Sequence, residues 1–354
     1  MKPRIDIVVI GVNVEQTIDA CLTSIRASLY PSRLIKVFYV DGGSMDASRQ
    51  RASAHDGVEL IDLNMEHPTT GAGRNAGFRA SRAPFILFLD GDTILHPLWL
   101  PRASRRFMQS DGRLAAITGL RREIEPAANA YHRIAEVEWN YPIGECEYFG
   151  GDVMIRREYM TATGGYDEKL IAGEDPDLSR RIRALGGVIL RLPRVITYHD
   201  INMKTPRSYC KRSIRSGHAY LEIAARYFRG PNPMWLRQCL RVPTHTVGPL
   251  LVGTGLAASA NPWLAAAVGL LWFIRPLRAA CRMVLRSPFA RREIARNLPV
   301  CFLHLHAAPW LQLLGMLRYV YGRLNGNPMR NKGITKPMLE ENNVHGNFDL
   351  KSSR

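Results

Sequence analysis

Paired cysteines and the common nucleotide-binding loops are missing from this chain, and no secretory leader is expected at its start. Its six cysteines, Cys21, Cys146, Cys210, Cys239, Cys281 and Cys301, contain no Cys-x-x-Cys pair and no metal-like spacing. They are expected to behave as small hydrophobes of a reduced compartment. There is no GxxxxGK[ST] loop and no GxGxxG after the first apolar run, which removes the support for nucleotide hydrolysis and dinucleotide redox chemistry. The apolar run in MKPRIDIVVIG is too short for a signal peptide, so the first domain is expected in the cytosol. Acidic residues are in deficit, with 31 Asp and Glu against 48 Lys and Arg and a net charge of +17. That charge calls for an anionic partner, whether phosphate substrate, anionic lipid or nucleic acid, and does not choose among them.

What is present is an alternation of strand and helix patterns. Ile5 to Ile10, Leu34 to Val40, Val58 to Leu63 and Phe85 to Leu89 read as strands, and Thr17 to Ala27 and Gly73 to Ala80 as helices. Ala115 to Gly119 and a strand near Asp152 to Ile155 follow, with a helix near Tyr131 to Trp139 between them. Another helix is opened by Asp175-Pro176, and one or two short strands end at His199. The pattern predicts an α/β fold, a mostly parallel sheet flanked by helices. The 354 residues provide for one large domain with an appendage, or for two domains.

The most informative local feature is PFILFLDGDT. Five apolar residues end in Asp90-Gly91-Asp92, which puts two carboxylates at the carboxyl end of a buried strand, where open α/β sheets hold ligands. A Gly between two acids lets both side chains approach one hard cation. The other reading is a solvated Asp-Gly turn.

Four pieces in this order resemble a family 2 glycosyltransferase of the GT-A fold, from Ile5 to about His199. They are VVIGVN at Val8 to Asn13, DGGSMD at Asp41 to Asp46, GAGRNAG with LDGD, and FGGDVMIRREYMTATGGYDEKLIAGEDPDLSRR at Phe149 to Arg181. The resemblance implies a nucleotide-sugar site built from Gly11, Asn13, Asp41, Arg74, Asn75, Asp90 and Arg181, with Asp41 accepting a hydrogen bond from a uracil imide and therefore a UDP-sugar as donor. It implies Mn²⁺ or Mg²⁺ on the donor diphosphate, with Asp92 and His199 as ligands. Asp175 is implied as general base, with Glu174 beside it, and Phe149, Gly150 and Gly151 as the acceptor-side segment. For Arg181 a helix-surface ion pair is an equal alternative, and for Trp139 and Tyr148 core packing competes with stacking on a sugar. Two departures stand out. Asn13 is followed by Val14 rather than Glu, so a carboxylate is displaced or missing near the base site, and the absence of Gln-x-x-Arg-Trp argues against a processive synthase.

After about Arg241 the composition changes. Thr246 to Ile274 carries no charge but is interrupted by Pro249, Asn261 and Pro262, and Leu298 to Leu317 is a second uncharged stretch. Between them lie Arg275, Arg278, Arg282, Arg286, Arg291, Arg292 and Arg296. Two crossings would put these arginines on the far side, against the positive-inside tendency. A helical hairpin lying on the cytosolic leaflet is expected instead, with arginines snorkelling to anionic headgroups; a buried soluble helical subdomain is the alternative. The expected division is residues 1–240 catalytic, 241–325 membrane-associated and 326–354 a polar tail.

The leading reading is thus an inverting, metal-dependent transferase at the cytoplasmic face of the cell membrane. It would move sugar from a nucleotide-sugar to a hydroxyl of a lipid-linked glycan acceptor in surface or exopolysaccharide assembly. A second reading has polyprenyl phosphate or a membrane lipid as acceptor, in which case little base catalysis is needed. A third, of another class, is a non-catalytic basic protein of membrane surfaces or RNA. The motif acids count against it, and no nucleic-acid partner is expected.

Overall fold

The computed structural model describes residues 2–140, 142–230, 233–258 and 262–326. In chain order the elements are β1 (Ile5–Gly11), α1 (Ile18–Arg26), β2 (Ile35–Asp41), α2 (Ser48–Ser53), β3 (Val58–Asp62), α3 (Thr70–Ala80), β4 (Phe85–Asp90), β5 (Thr93–Leu95), α4 (Trp99–Met108), β6 (Leu114–Glu123) and α5 (Ala130–Glu138). Then come β7 (Gly144–Glu145), β8 (Val153–Arg156), α6 (Arg157–Thr163), α7 (Glu174–Ala184), β9 (Val188–His199), α8 (Pro206–Tyr227), α9 (Leu236–Ala258), α10 (Pro262–Arg286) and α11 (Ile294–Leu324).

One sheet runs in the order β3-β2-β1-β4-β8-β6-β9-β5, with β7 also on β9. The first four strands are parallel, β8 runs against both β4 and β6, and β6 and β9 are parallel. This is a mixed sheet with helices on both faces, as the strand and helix alternation predicted. Ile5, Ile7, Val8 and Val9 are fully buried, because a central strand covered on both faces buries every side chain. Opposite faces feed two cores, one around Ile7, Leu22, Leu87 and Trp99 and the other around Val8, Phe38, Phe88 and Ile182. The region expected as one or two short strands before His199 is a single twelve-residue strand, β9, whose pairing with β6 shifts register at three places.

The carboxyl ends of β1, β2 and β4 converge on one edge, which carries Gly11, Asp41 and Asp90. The short β5 then doubles back against β9, pairing Thr93 with His199. The residue before Thr93 is Asp92, so this antiparallel register draws the second motif acid to the histidine.

The C-terminal part differs from the expected hairpin. The uncharged stretch Thr246 to Ile274 is divided between α9 and α10, and Pro262 opens the second of them, a position where its missing N–H costs nothing. Pro249 does not end a helix but lies inside α9, as Pro299 and Pro309 do inside α11. Helix α11 crosses α8 at a glycine pair. A Cβ on Gly217 would sit 2.0 Å from the Gln312 carbonyl oxygen, and one on Gly315 would sit 2.0 Å from that of Ile214. The backbones therefore touch directly. Among the described residues one helical stretch, Ala290–Leu324, is long and apolar enough to cross a membrane. The expected polar tail lies, beyond Gly326, outside the described residues.

Candidate active site

A cavity of about 780 Å³ opens at the carboxyl edge of the sheet, lined among others by Gly11, Arg74, Asp90, Asp92, Arg121, Asp152, Asp175 and His199. Arg74 organises its floor. Helix α3 carries this side chain into the interior with only 2 % of it exposed. Its guanidinium donates to Asp90 Oδ1 at 3.1 Å, Asp175 Oδ1 at 2.8 Å and Glu174 Oε1 at 3.2 Å, and lies over the Tyr166 ring. One cation thus ties the end of β4 to the start of α7. A fork of fixed N–H donors suits that bridging better than an ammonium would.

Asp90 is flanked on its other oxygen by Arg121, 3.5 Å away, whose Nε donates to Asp152 at 2.9 Å. Burial works against its charge, but Arg74 and then Arg121 hold Asp90 below the usual carboxylate range. Asp92 differs. Burial, and after it the neighbouring Asp90, push it up to about 7, and its Oδ1 has no hydrogen-bond donor. His199 Nε2 faces that oxygen at 3.4 Å. Burial, helped by Arg121, takes the imidazole down to about 3, so it is neutral and the contact is not an ion pair. The edge of Trp139 packs on its ring.

Ligand atoms of Asp90, Asp92 and His199 lie within 4.8 Å of one another. An orphaned buried carboxylate oxygen facing a neutral imidazole fits a divalent cation with oxygen and nitrogen ligands. The residues present are therefore suited to the metal that the Asp-Gly-Asp motif suggested.

Asp175 sits in the first turn of α7. Its Oδ2 accepts from Gly151 N–H at 2.7 Å, and Gly151 holds φ +61° with Arg121 where a Cβ would be. Burial raises Asp175 to about 7, Glu174 and Asp90 add to that, and Arg74 and the Gly151 N–H oppose it. Glu174, Gly150 and Gly151 line the same cavity.

Five of the expected site residues are used differently. Asn75 turns away from the cavity, donating to the Tyr166 carbonyl at 2.8 Å and Glu168 at 2.9 Å and accepting from Tyr166 N–H. Neighbours in a helix face different sides, so Arg74 and Asn75 cannot share a task. Arg181 pairs with Asp177 and donates to the carbonyls of Thr163 and Gly165, which makes it a clamp on the end of α6. Phe149 is fully buried in the second core, so of the three only the two glycines after it line the cavity. Asp41 is also buried, and its carboxylate accepts from Gly43 and Ser44 N–H, the Ser44 hydroxyl and the Tyr39 hydroxyl. Those four bonds use its acceptor capacity, so Asp41 shapes the loop, while Val40 and Gly42 line the cavity. Asn13, at φ +54°, receives Met45 N–H and fixes the same loop. The displaced carboxylate is Glu15, which accepts from Ala47 N–H at 2.9 Å.

Sequence reading missed Arg121 and Asp152. An arginine two residues after the apolar run Ala115 to Gly119 and an acid directly after Gly150-Gly151 were the available signals. Trp139 and Tyr148 both line the cavity; Tyr148 meets Trp235 edge to face.

Residues 6–164 match the glycosyl transferase family 2 model, and residues 131–205 match the model described as the N-terminal domain of galactosyltransferase. Glycosyltransferase AglE of Haloferax volcanii is 25% identical over 231 residues, 62% of this chain and 74% of the relative. The pre-mycofactocin glycosyltransferase of Mycobacterium tuberculosis is 26% identical over 219 residues, 58% of this chain and 46% of the relative. In structure, the mannosyltransferase PcManGT of Pyrobaculum calidifontis, solved with GDP-Man and Mn2+, superposes with a TM-score of 0.59 at 16% identity, covering 91% of this chain and 88% of that one. Residues 1–349 of S. aureus TarS give a TM-score of 0.51 at 14% identity, covering 91% and 92%. Residues 6–164 are thus similar to glycosyl transferase family 2, and the chain has the GT-A fold. It is a glycosyltransferase.

Proposed function

We propose that the enzyme is an inverting glycosyltransferase that works at the cytoplasmic face of a membrane and moves a sugar from a nucleoside diphosphate donor to a hydroxyl of a lipid-linked acceptor, in surface glycan assembly. The observation that carries this reading is the position of Asp175. Its carboxylate lines both the donor cavity and a second cavity bounded by α8, α9 and α10, with Glu174 beside it.

Donor nucleotide enters along Gly11, Gly42 and Gly73 at the edge of the sheet. Asp92 and His199 would hold a divalent cation there, with Asp90 beside them, and the imidazole would favour Mn²⁺ over Mg²⁺. When bound, the cation neutralises charge on the departing nucleoside diphosphate. Asp175 takes the proton of the acceptor hydroxyl while that oxygen forms a bond to the anomeric carbon. The bond from that carbon to the diphosphate oxygen breaks, its electron pair leaves with the nucleotide, and attack from the opposite face inverts the centre. A carboxylate near pKa 7 is poised for this at neutral pH. Arg74, shared by Asp90 and Asp175, keeps the two halves of the reaction in register.

The membrane part of the reading rests on the C-terminal helices, residues 241–325, beside a catalytic part of residues 1–240. More than half of the exposed large apolar side chains among the described residues follow residue 240, including Leu251, Trp263, Leu271, Leu317 and Leu324. An apolar surface of that extent on a basic protein suits an anionic bilayer. Because α11 buries one face on α8, it lies on the membrane rather than crossing it alone.

Calorimetric titration of UDP and GDP, with and without Mn²⁺, tests the donor site. Metal-dependent binding of one nucleotide is expected, abolished in Asp92→Ala. Failure of both nucleotides to bind in detergent would overturn the reading.

A further inference from the structure

The second cavity, of about 1070 Å³, is lined by six arginines: Arg212 and Arg215 from α8, Arg241 from α9, and Arg275, Arg278 and Arg282 from α10. The three on α10 are spaced i, i+3 and i+7 and so form one stripe. All three line this cavity while remaining exposed to solvent, so the concavity is open to an incoming anion. The helix cannot easily rotate to release them, because Ala280 and Val284 on another face are buried against Val137, Ala290 and Cys301.

Among the described residues none of the six side chains has a hydrogen-bond or ion-pair partner. The cavity has three carboxylates, Glu138, Glu174 and Asp175. Glu174 and Asp175 already hold Arg74, and Glu138 accepts from His304 Nε2 at 3.0 Å. Burial works against the charge of Glu138, but His304 together with the more distant Arg212 and Arg241 holds it below the usual carboxylate range, so one carboxylate is shared among these cations. The donor side is different: Arg74 and Arg121 each contact at least two acids. Six like charges in one concavity repel one another, and a multivalent anion relieves that repulsion. The rest of the lining includes Val137, Met203, Met283 and Leu305, so the site offers apolar surface next to its charge.

Building on the transferase reading, we propose that this cavity binds the phosphate or diphosphate of the lipid-linked acceptor. Arg241, Arg275, Arg278 and Arg282 take the phosphate oxygens, where planar guanidinium forks give paired hydrogen bonds. The lipid runs out over the apolar lining to the exposed face of the C-terminal helices. Arg212 and Arg215 line both cavities and guide the acceptor's sugar end to Asp175. The arginine-rich segment thus selects the acceptor in addition to any attraction it exerts on the bilayer.

Farnesyl diphosphate is the probe, titrated into the full chain in detergent with Mn²⁺, with and without saturating UDP or GDP, beside farnesol and phosphatidylglycerol vesicles. Farnesyl diphosphate is expected to bind about tenfold or more tighter than farnesol, and the double variant Arg278→Gln/Arg282→Gln to lose about tenfold of that affinity with nucleotide affinity unchanged. Unchanged nucleotide affinity also reports that the variant is folded. Arg241→Gln/Arg275→Gln gives the same reading from two other positions. Equal affinity for farnesol and farnesyl diphosphate, or insensitivity to both double variants, overturns the proposal. So does a variant that loses vesicle binding but keeps farnesyl diphosphate, since its arginines would then serve the bilayer surface. Arginine-dependent farnesyl diphosphate binding in a protein that binds neither nucleotide would uphold the phosphate site while sinking the transferase reading.

Discussion

The α/β half and the C-terminal helices handle their arginines in opposite ways. In the first, Arg74 and Arg121 are buried and matched by Asp90, Asp152, Asp175 and Glu174. In the second, six arginines face a cavity that offers them no bonded carboxylate. A buried charge must be compensated from within the protein, or it costs several kcal/mol. A charge lining an open cavity can wait for its partner to arrive. On the proposed reading, internal ion pairs preassemble the chemistry, and the charges left open recognise the substrate.

The sharpest way to break the comparison is at the junction. Asp175→Asn should lower kcat by roughly 10²–10⁴-fold, the usual worth of a general base, with little change in donor binding. In the native enzyme the rate should rise with pH through about 7, because a carboxyl raised to that value is protonated, and useless as a base, below it. The groups facing Asp175 are Arg74 from α3, Glu174 on its own helix, Asp90 from β4 and Tyr166. A pH–rate profile of native enzyme and variant checks both points. A variant that keeps its activity would mean that an already ionised phosphate oxygen is the nucleophile.

A smaller effect is expected where the two halves are joined. Gly315→Val places a side chain against the Ile214 carbonyl and should cost about 1–3 kcal/mol, the usual penalty of overpacking, measured by chemical denaturation. Vesicle binding should weaken with it, because α11 can no longer seat on α8. The smallest effect should come from Arg181→Gln. Loss of the Asp177 pair and two carbonyl bonds should reduce stability by about 1 kcal/mol and leave nucleotide affinity as it was. A nucleotide affinity that fell with it would return Arg181 to the donor site.

Much of the α/β fold was legible because each element carries its own period. Continuous apolar runs marked the buried parallel strands, and Ile18, Cys21, Leu22 and Ile25 marked α1, whose buried face they form. The C-terminal half was less legible. Prolines that looked like helix breakers lie inside α9 and α11, because packing against neighbours offsets a missing hydrogen bond.

The sequence by itself determined which residues reach the carboxyl edge of the sheet, since a strand's apolar run and the acids that end it are contiguous. Only the tertiary structure decided what those residues do there. Asp92 meets His199 because β5 pairs backwards with β9. Arg74 reaches both Asp90 and Asp175, while Asn75, its neighbour in sequence, braces a loop. Asp41 closes on its own turn, and arginines spread over three helices face one cavity. The reason is range: periodicity encodes the element a residue belongs to, whereas the partner it meets depends on register and helix packing set by residues far away in the chain.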